Sequence, residues 1–477
     1  MAAINKNCPI SKIAHGWEEI ARPLIAFIAA GQSVMLQGMH GNAKTSVAEL
    51  IGHVYGENTA RYVDCPKANL VSMCGFPDMD KMRAGEQAFV PNNNSLISSD
   101  KYQVRVVVLD EISRAKKETS NELLELIEKK TIYGIPTGIK VIIATSNPDT
   151  YKGATKMDAA LLDRFVACLP IPDFKEVTSD DVEKMIQINM DQDTDPDYVK
   201  NVGAELRDIV ERVTKKYKEL VSDPDVQARI SSYVSNLVSM SKAKWNAISA
   251  EEAPYISGRE ASAQLWRAII ALAAYDIEVY GREPTMAYVD AARDAIKYCW
   301  IVKHGMDERF IRSVETVHRD FIFLLRSTAK GPAGKIATAY AKSMTPVAKL
   351  NFWEQHLDDI TKHCDNIMIT EMMSGTIGAI EEYAPVTAGQ KANYEKDKLG
   401  WRARLYGISK KHKYFANTAD SLEGQLVCQL IAGMNANSFS LRDEPFKSAL
   451  STDVLDSSNI TDLLVELTSD KVKNIRI

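Results

Sequence analysis

The chain has 477 residues, enough for roughly three domains with full cores. Its 45% apolar and 25% charged content is that of a soluble globular protein, and a net charge of −5 gives no electrostatic case for a nucleic-acid footprint. Seven cysteines, at positions 8, 65, 74, 168, 299, 364 and 428, include no CxxC pair, which argues against a zinc ribbon or disulfide framework and for reduced thiols in a cytoplasmic setting.

The chain opens without a secretory signal, and its apolar residues 23–30 are too few to span a bilayer. Residues 1–32 read as a lead-in helix, with Ile20, Leu24, Ile25 and Ile28 at near-helical spacing and Pro23 at a boundary or first turn. A short apolar run, Ser33–Leu36, then meets Gln37–Gly38–Met39–His40–Gly41–Asn42–Ala43–Lys44–Thr45–Ser46, and a helical pattern starts at Val47. Strand, glycine-bearing loop and helix start make the order a phosphate-binding loop requires, because loop N–H groups and the positive helix end face the anion. Gly38, His40, Gly41, Asn42, Ala43, Lys44, Thr45 and Ser46 would form the cradle. Lys44 would reach the β/γ-phosphates and the Thr45 hydroxyl would hold Mg2+. Ala43 stands where a glycine is usual, and its methyl group is accommodated if φ stays below zero.

Ala60–Asp64 reads as extended, and residues 67–100 as an irregular stretch too long for an ordinary connection. Arg105–Leu109 is a buried-strand run ending in Asp110–Glu111. Ligands of parallel sheets bind beyond the carboxyl ends of the strands, where these acids fall. Asp110 would bind Mg2+ and Glu111 would polarise a water for attack on the γ-phosphate; a helix N-cap followed by a first-turn acid is the alternative. A helix follows over Glu118–Lys130, then a turn at Tyr133–Gly138 and a third buried strand, Val141–Thr145, ending in Ser146–Asn147–Pro148. Asn147 at that tip would hydrogen-bond the attacking water or the γ-phosphate, and an Asn-Pro turn is equally consistent with it. On spacing alone, Arg164 in Leu161–Leu162–Asp163–Arg164–Phe165 is a helix-end arginine capping carbonyls or paired with Asp163.

In this order the pieces resemble an AAA+ ATPase, and within it the MoxR-type group related to the AAA+ subunits of magnesium and cobalt chelatases. The resemblance rests on Gly38–Thr45, Leu109–Asp110–Glu111–Ile112–Ser113–Arg114–Ala115, Ala144–Pro148 and Leu162–Asp163–Arg164–Phe165, and spans about residues 20–273. It implies an α/β fold: a P-loop parallel sheet flanked by helices over 1–174, a helical lid over 175–300, and a mainly helical C-terminal domain over 301–477. It implies Walker A at Lys44 and Thr45, Walker B at Asp110 and Glu111, and sensor 1 at Asn147. An arginine finger at Arg164 would serve the neighbouring subunit's nucleotide, and such fingers can be worth ~10³–10⁵ in rate. Ile256–Ser257–Gly258–Arg259–Glu260–Ala261 resembles the sensor 2 motif, which would put Arg259 on the bound nucleotide. The competing reading is a Ser257 cap with a surface Arg and Glu.

The implied cofactors are ATP and Mg2+, and the implied assembly is a homo-hexamer, since a closing head-to-tail interface gives a ring. The 67–100 stretch matches where this clade inserts a loop facing the pore, with Met73, Phe76, Met79 and Met82 as exposed groups able to grip a partner; a floppy loop partly covering the sheet is the other reading. Beyond residue 300 there are helical patterns around Phe310–Leu325, Val347–Ile360 and Ser421–Met434. Arg402, Arg404, Lys410, Lys411 and Lys413 interleave with Trp401, Tyr406 and Tyr414, either as a solvated helix face or as a nucleic-acid surface. Thr155–Asp158 matches a guanine-reading pattern but lies too far beyond its strand to serve as one.

The leading expectation is an ATP-driven remodeller of a protein partner, such as a von Willebrand factor A domain protein. The alternatives are the motor subunit of a metal chelatase, a DNA-dependent motor and a nucleotide-stabilised scaffold.

Overall fold

The structure, a computed structural model, describes residues 8–38, 41–56, 58–85, 89–92, 94–98, 103–147, 158–172, 178–327, 331–381, 383 and 388–411. The chain packs as two compact units, one of residues 1–223 and 254–307, the other of residues 224–253 and 308–477.

The first unit opens with helix α1 (Glu18–Ala29), whose Ile20, Leu24, Ile25 and Ile28 are all buried. Pro23 lies inside α1, not at its first turn. The carbonyl it leaves unpaired belongs to Glu19, which is exposed, so water can satisfy it. Strand β1 (Val34–Gln37) leads through the glycine loop into α2 (Lys44–Val54), then β2 (Ala60–Asp64).

The stretch expected to be irregular carries short elements: α3 (Leu70–Cys74), β3 (Phe76–Pro77), α4 (Met79–Ala84) and β4 (Phe89–Val90), with β3 and β4 paired antiparallel. Local capping orders it. Asn69 and Ser72 form a reciprocal capping box, and Asp78 accepts from the N–H groups of Asp80 and Lys81.

Then follow β5 (Val106–Asp110), α5 (Lys117–Lys129), the hairpin β6 (Thr131–Ile132) and β7 (Ile135–Pro136), β8 (Val141–Ser146), α6 (Ala159–Leu162) and β9 (Ala167–Pro170). Strands β2, β5, β8, β1 and β9, in that spatial order, form a five-stranded, all-parallel sheet. Its strands are continuous apolar runs because both faces are covered. Met35, Val107, Leu109, Ile142 and Ala144 pack on one face with Leu123, Leu126 and Ile127 of α5. The period of two puts Val34, Leu36, Val106, Val108, Val141 and Ile143 on the other.

Helices α7 (Ser179–Thr194) and α8 (Tyr198–Ser222) follow, and α9 (Pro224–Ile248) belongs to the second unit. The chain returns to the first unit with a π-helical turn at Glu260–Gln264 that runs into α10 (Leu265–Tyr280), then α11 (Pro284–Ile296), a second π-helical turn at Lys297–Ile301 and α12 (Val302–His304). Helix α10 is buried along most of its length and packs on α1, α8 and α11.

In the second unit, α9 packs on α13 (Glu308–Phe321) and α14 (Phe323–Arg326). Helices α15 (Pro332–Ala341), α16 (Pro346–His363), α17 (Asn366–Glu381) and α18 (Ala388–Lys411) complete it. Its centre is aromatic, with buried Tyr233, Trp245, Phe323, Tyr340 and Trp353. The polar atoms there are matched: the Tyr340 hydroxyl donates to the Met372 carbonyl and Trp353 Nε1 to Thr376 Oγ1. The expected helix at Ser421–Met434 lies outside the described residues. Among the described residues no helix is long and apolar enough to cross a membrane, and none of the described cysteines is in a disulfide.

Candidate functional site

The loop after β1 leaves the sheet at its carboxyl end, where the Gly38 N–H donates to the Ser146 carbonyl at 3.1 Å. A side chain on Gly38 would meet Ile171 Cβ at 2.7 Å, so only glycine lets the loop pass this close to the strand-β9 exit. Asn42 Nδ2 donates to the Pro172 carbonyl at 2.8 Å and ties the loop to that exit. Lys44 Nζ donates back to the Gly38 carbonyl at 2.7 Å, which folds the ammonium over its own loop. Burial pushes the Lys44 ammonium below its usual pKa, while Asp110 and Glu111 pull it up.

Ala43 is not in the conformation expected of it. It sits at φ +54°, in the left-handed region, because the loop must reverse hand to enter α2. A Cβ at that angle costs about 1–2 kcal/mol, and the strain is borne at the residue next to Lys44. Residues 39 and 40 lie outside the described residues, so the expected role of His40 lies outside them too.

Asp110 ends β5 and Glu111 follows it in the left-handed region, at φ +50°. The helix-cap alternative for this pair is not what the local structure uses: Glu111 makes no side-chain cap bond to the Ile112–Arg114 turn. Instead both acids are organised by Thr145, next door on β8. Its hydroxyl donates to Asp110 Oδ1 at 2.5 Å and accepts from the Glu111 N–H at 3.1 Å. Arg114 Nη1 donates to Glu111 Oε2 at 3.2 Å. Asn147 sits at the end of the same strand, 5% exposed.

Thr45 and Asp110 are the donors expected to hold Mg2+. The Tyr62 hydroxyl is 3.2 Å from Thr45 Oγ1. A hydroxyl that starts α2 and a carboxylate that ends β5 are both oxygen donors, the chemistry a hard divalent cation takes. The residues present therefore fit Mg2+.

Arg164 and Arg259 are gathered elsewhere. Arg164 Nε pairs with Glu128 Oε2 at 2.9 Å, and Arg164 Nη1 donates to Asp163 Oδ2 at 3.3 Å. Arg259 donates from Nη1 to Asp163 Oδ2 at 2.9 Å and from Nη2 to Glu128 Oε1 at 2.7 Å. Ser257 Oγ donates to Asp163 Oδ1, and Gln264 Nε2 to the Asp163 carbonyl at 2.6 Å. Arg164 precedes β9, whose Ala167 pairs with Val34 at the start of β1, whereas the glycine loop follows Gln37 at the far end. At ~3.3 Å per residue, the strand pair separates this cluster from the loop by roughly 10 Å or more.

Ser257 does cap its helix, accepting the Glu260 N–H at 3.1 Å, but Glu260 is not on the surface; it is 1% exposed. It pairs with Lys303 Nζ at 2.6 Å and His304 Nε2 at 2.8 Å, and Lys303 also donates to the Phe165 carbonyl at 2.7 Å. A buried ion pair thus anchors the residue after Arg164.

Of the insert side chains expected to be exposed, Phe76, Met79 and Met82 are, and Met73 is not: it is 2% exposed and packs in the sheet-side core with Cys74 and Leu96. In the second unit, Arg404 is engaged by Glu354 at 2.8 Å and by Asn351 at 2.7 Å, and Trp401 packs edge-on to Tyr383 at 5.1 Å. Lys413 and Tyr414 lie outside the described residues, as do residues 155–157 of the guanine-like pattern.

Sequence reasoning missed Thr145, Arg114 and Glu128. A hydroxyl within an otherwise apolar strand, opposite the tip that carries two acids, was the available signal for Thr145. Glu128 looks like any solvent-facing acid of an amphipathic helix.

Residues 33–165 match the family model of the AAA domain (dynein-related subfamily), and the first unit therefore carries an AAA domain. No curated protein matches the chain. Among solved structures, a candidate ATPase of Cytophaga hutchinsonii is 19% identical, covering 65% of this chain and 91% of that one at a TM-score of 0.42. Saccharomyces cerevisiae Hsp104 in an extended complex with casein is 14% identical, covering 51% and 49% at a TM-score of 0.30.

Proposed function

We propose that the chain is a Mg2+-dependent ATPase of the MoxR type that works as a ring, in keeping with a homo-hexamer, and remodels or activates a protein partner. A protein with a von Willebrand factor A domain is the partner class this reading favours. The observation that carries it is the Thr145 hydroxyl joining the Asp110 carboxylate to the Glu111 backbone, at the carboxyl end of the sheet beside the Lys44 loop. A loop and a helix N-terminus alone would bind phosphate; two acids held by a dedicated hydroxyl next to them are what hydrolysis adds.

In this reading Lys44 leaves the Gly38 carbonyl for the β/γ-phosphates. Thr45 and Asp110 would hold Mg2+, which would supply charge neutralisation at the phosphates. Glu111 takes the proton of the attacking water once Arg114 releases its Oε2, and Asn147 positions that water. Arg164 and Arg259 lie together, away from their own loop, so both serve best at a nucleotide held by a neighbouring subunit. Residues 175–300 act as the lid, and the exposed Phe76, Met79 and Met82 of the insert grip the partner.

Turnover of ATP, followed across a protein concentration series with light scattering for mass, tests this. Turnover rising with assembly and indifferent to added DNA supports the ring remodeller. Turnover that requires DNA overturns it in favour of a nucleic-acid motor.

A further inference from the structure

The ammonium of Lys303, on α12, has three N–H donors and three oxygens within reach, and its side chain is 0% exposed. Nζ lies 2.6 Å from Glu260 Oε1, 2.7 Å from the Phe165 carbonyl and 3.1 Å from Gln264 Oε1. An ammonium only donates, so the Gln264 amide presents its oxygen to Lys303. Its Nε2 then faces the Asp163 carbonyl, to which it donates at 2.6 Å. Through this relay Lys303 and Gln264 bind the backbone carbonyls of the residues before and after Arg164.

A buried ion pair alone does not require the relay, since Glu260 already neutralises Lys303 and also pairs with His304 Nε2 at 2.8 Å. Both relay residues sit at π-helical turns: Gln264 ends the first, and Lys303 follows the second by two residues. Such turns are rare and frequently mark functional sites. The Arg164 side chain is held differently. It is 19% exposed and paired with Glu128, a partly exposed and exchangeable partner. A fixed backbone under an exchangeable guanidinium is what presentation to another molecule needs, because a misplacement of about 1 Å can cost ~10²-fold in rate.

We propose that Gln264 and Lys303 are positioning residues for Arg164, fixing the backbone from which its guanidinium reaches a nucleotide held by a neighbouring subunit. The assignment rests on the reading of Arg164 given above. Neither residue touches nucleotide; they act through Asp163 and Phe165.

Gln264→Met keeps the length of a half-buried side chain and removes both relay bonds, leaving Lys303 its bonds to Glu260 and Phe165. Thermal unfolding, ADP calorimetry in Mg2+ and ATP turnover are measured for the full chain and for this variant. Turnover is measured again in mixtures that crosslinking shows to be jointly assembled. ADP affinity should be unchanged, because the Lys44 loop is untouched, and turnover should fall about 10–100-fold. Mixing with Lys44→Ala, whose Arg164 and relay are intact, should raise turnover, and mixing with Arg164→Ala should not. Unchanged turnover overturns the proposal. So does recovery with Arg164→Ala, which would mean that Gln264→Met still supplies a working arginine. A merely structural loss would leave the variant without recovery in either mixture, and that too overturns it. The mixture of Arg164→Ala with Lys44→Ala is the control: if it stays inactive, the reading of Arg164 itself falls and the relay assignment with it.

Discussion

Arg164 Nε lies 2.9 Å from Glu128 Oε2, while the other oxygen of that carboxylate lies 2.7 Å from Nη2 of Arg259. One acid near the end of α5 thus holds both arginines that the family resemblance assigns to nucleotide. A guanidinium cannot satisfy Glu128 and a neighbour's phosphate with the same edge, so in the proposed ring Glu128 would compete with the nucleotide for these residues.

Glu128→Gln is therefore expected to raise ATP turnover, or to lower the protein concentration at half-maximal turnover, by several-fold. The cost to stability is small, because the pair is partly solvated and such pairs are worth about 0–1 kcal/mol. Concentration-dependent turnover and thermal unfolding check both parts.

Thr145→Val removes the donor to Asp110 and the acceptor for the Glu111 N–H at almost no change in shape. Turnover should fall about 10–100-fold. ADP affinity in EDTA should stay the same, because the Lys44 loop is untouched; calorimetry beside steady-state kinetics separates the two effects.

Ala43→Gly should stabilise the protein. Relief of the left-handed strain, about 1–2 kcal/mol, exceeds the added freedom of the unfolded chain, about 0.4–1 kcal/mol. The net gain, about 0–1.6 kcal/mol, is read by urea unfolding without nucleotide.

The Glu260 carboxyl predicts a pH dependence. Burial raises its pKa, but the hydrogen bond from His304 and the charge of Lys303 outweigh burial and hold it at about 2, against an ordinary 4.5. A depressed folded pKa contributes stability fully above the unfolded value and loses it as pH falls toward the folded one. The contribution, on the order of 3 kcal/mol, should fade from about pH 4.5 down to about 2. Glu260→Gln should be less stable than the unsubstituted chain at pH 7, and the gap should close over that window in urea unfolding at a series of pH values.

The phosphate loop, the strands β1, β5 and β8 and the acids at the tip of β5 were legible because buried parallel strands are continuous apolar runs and the site sits at their ends. The order within residues 67–100 was not legible, since capping by Asn69 and Asp78 makes elements too short for any hydrophobic period. Ala43 defeated a local argument: its backbone obeys the loop it closes and not its own preference. Thr145 and Glu128 matter through partners 35 and 131 residues away, and no local pattern carries such separations.

If hydrolysis depends on arginines supplied by a neighbour, mixing two inactive subunits restores it. Arg164→Ala alone and Lys44→Ala alone should each be inactive, the first binding ATP and the second not. Mixed under conditions where light scattering and crosslinking show joint assembly, they should recover measurable turnover, because an intact Lys44 site can then face an intact Arg164. Mixed assemblies that form and stay inactive would rule out an arginine supplied by the neighbouring subunit.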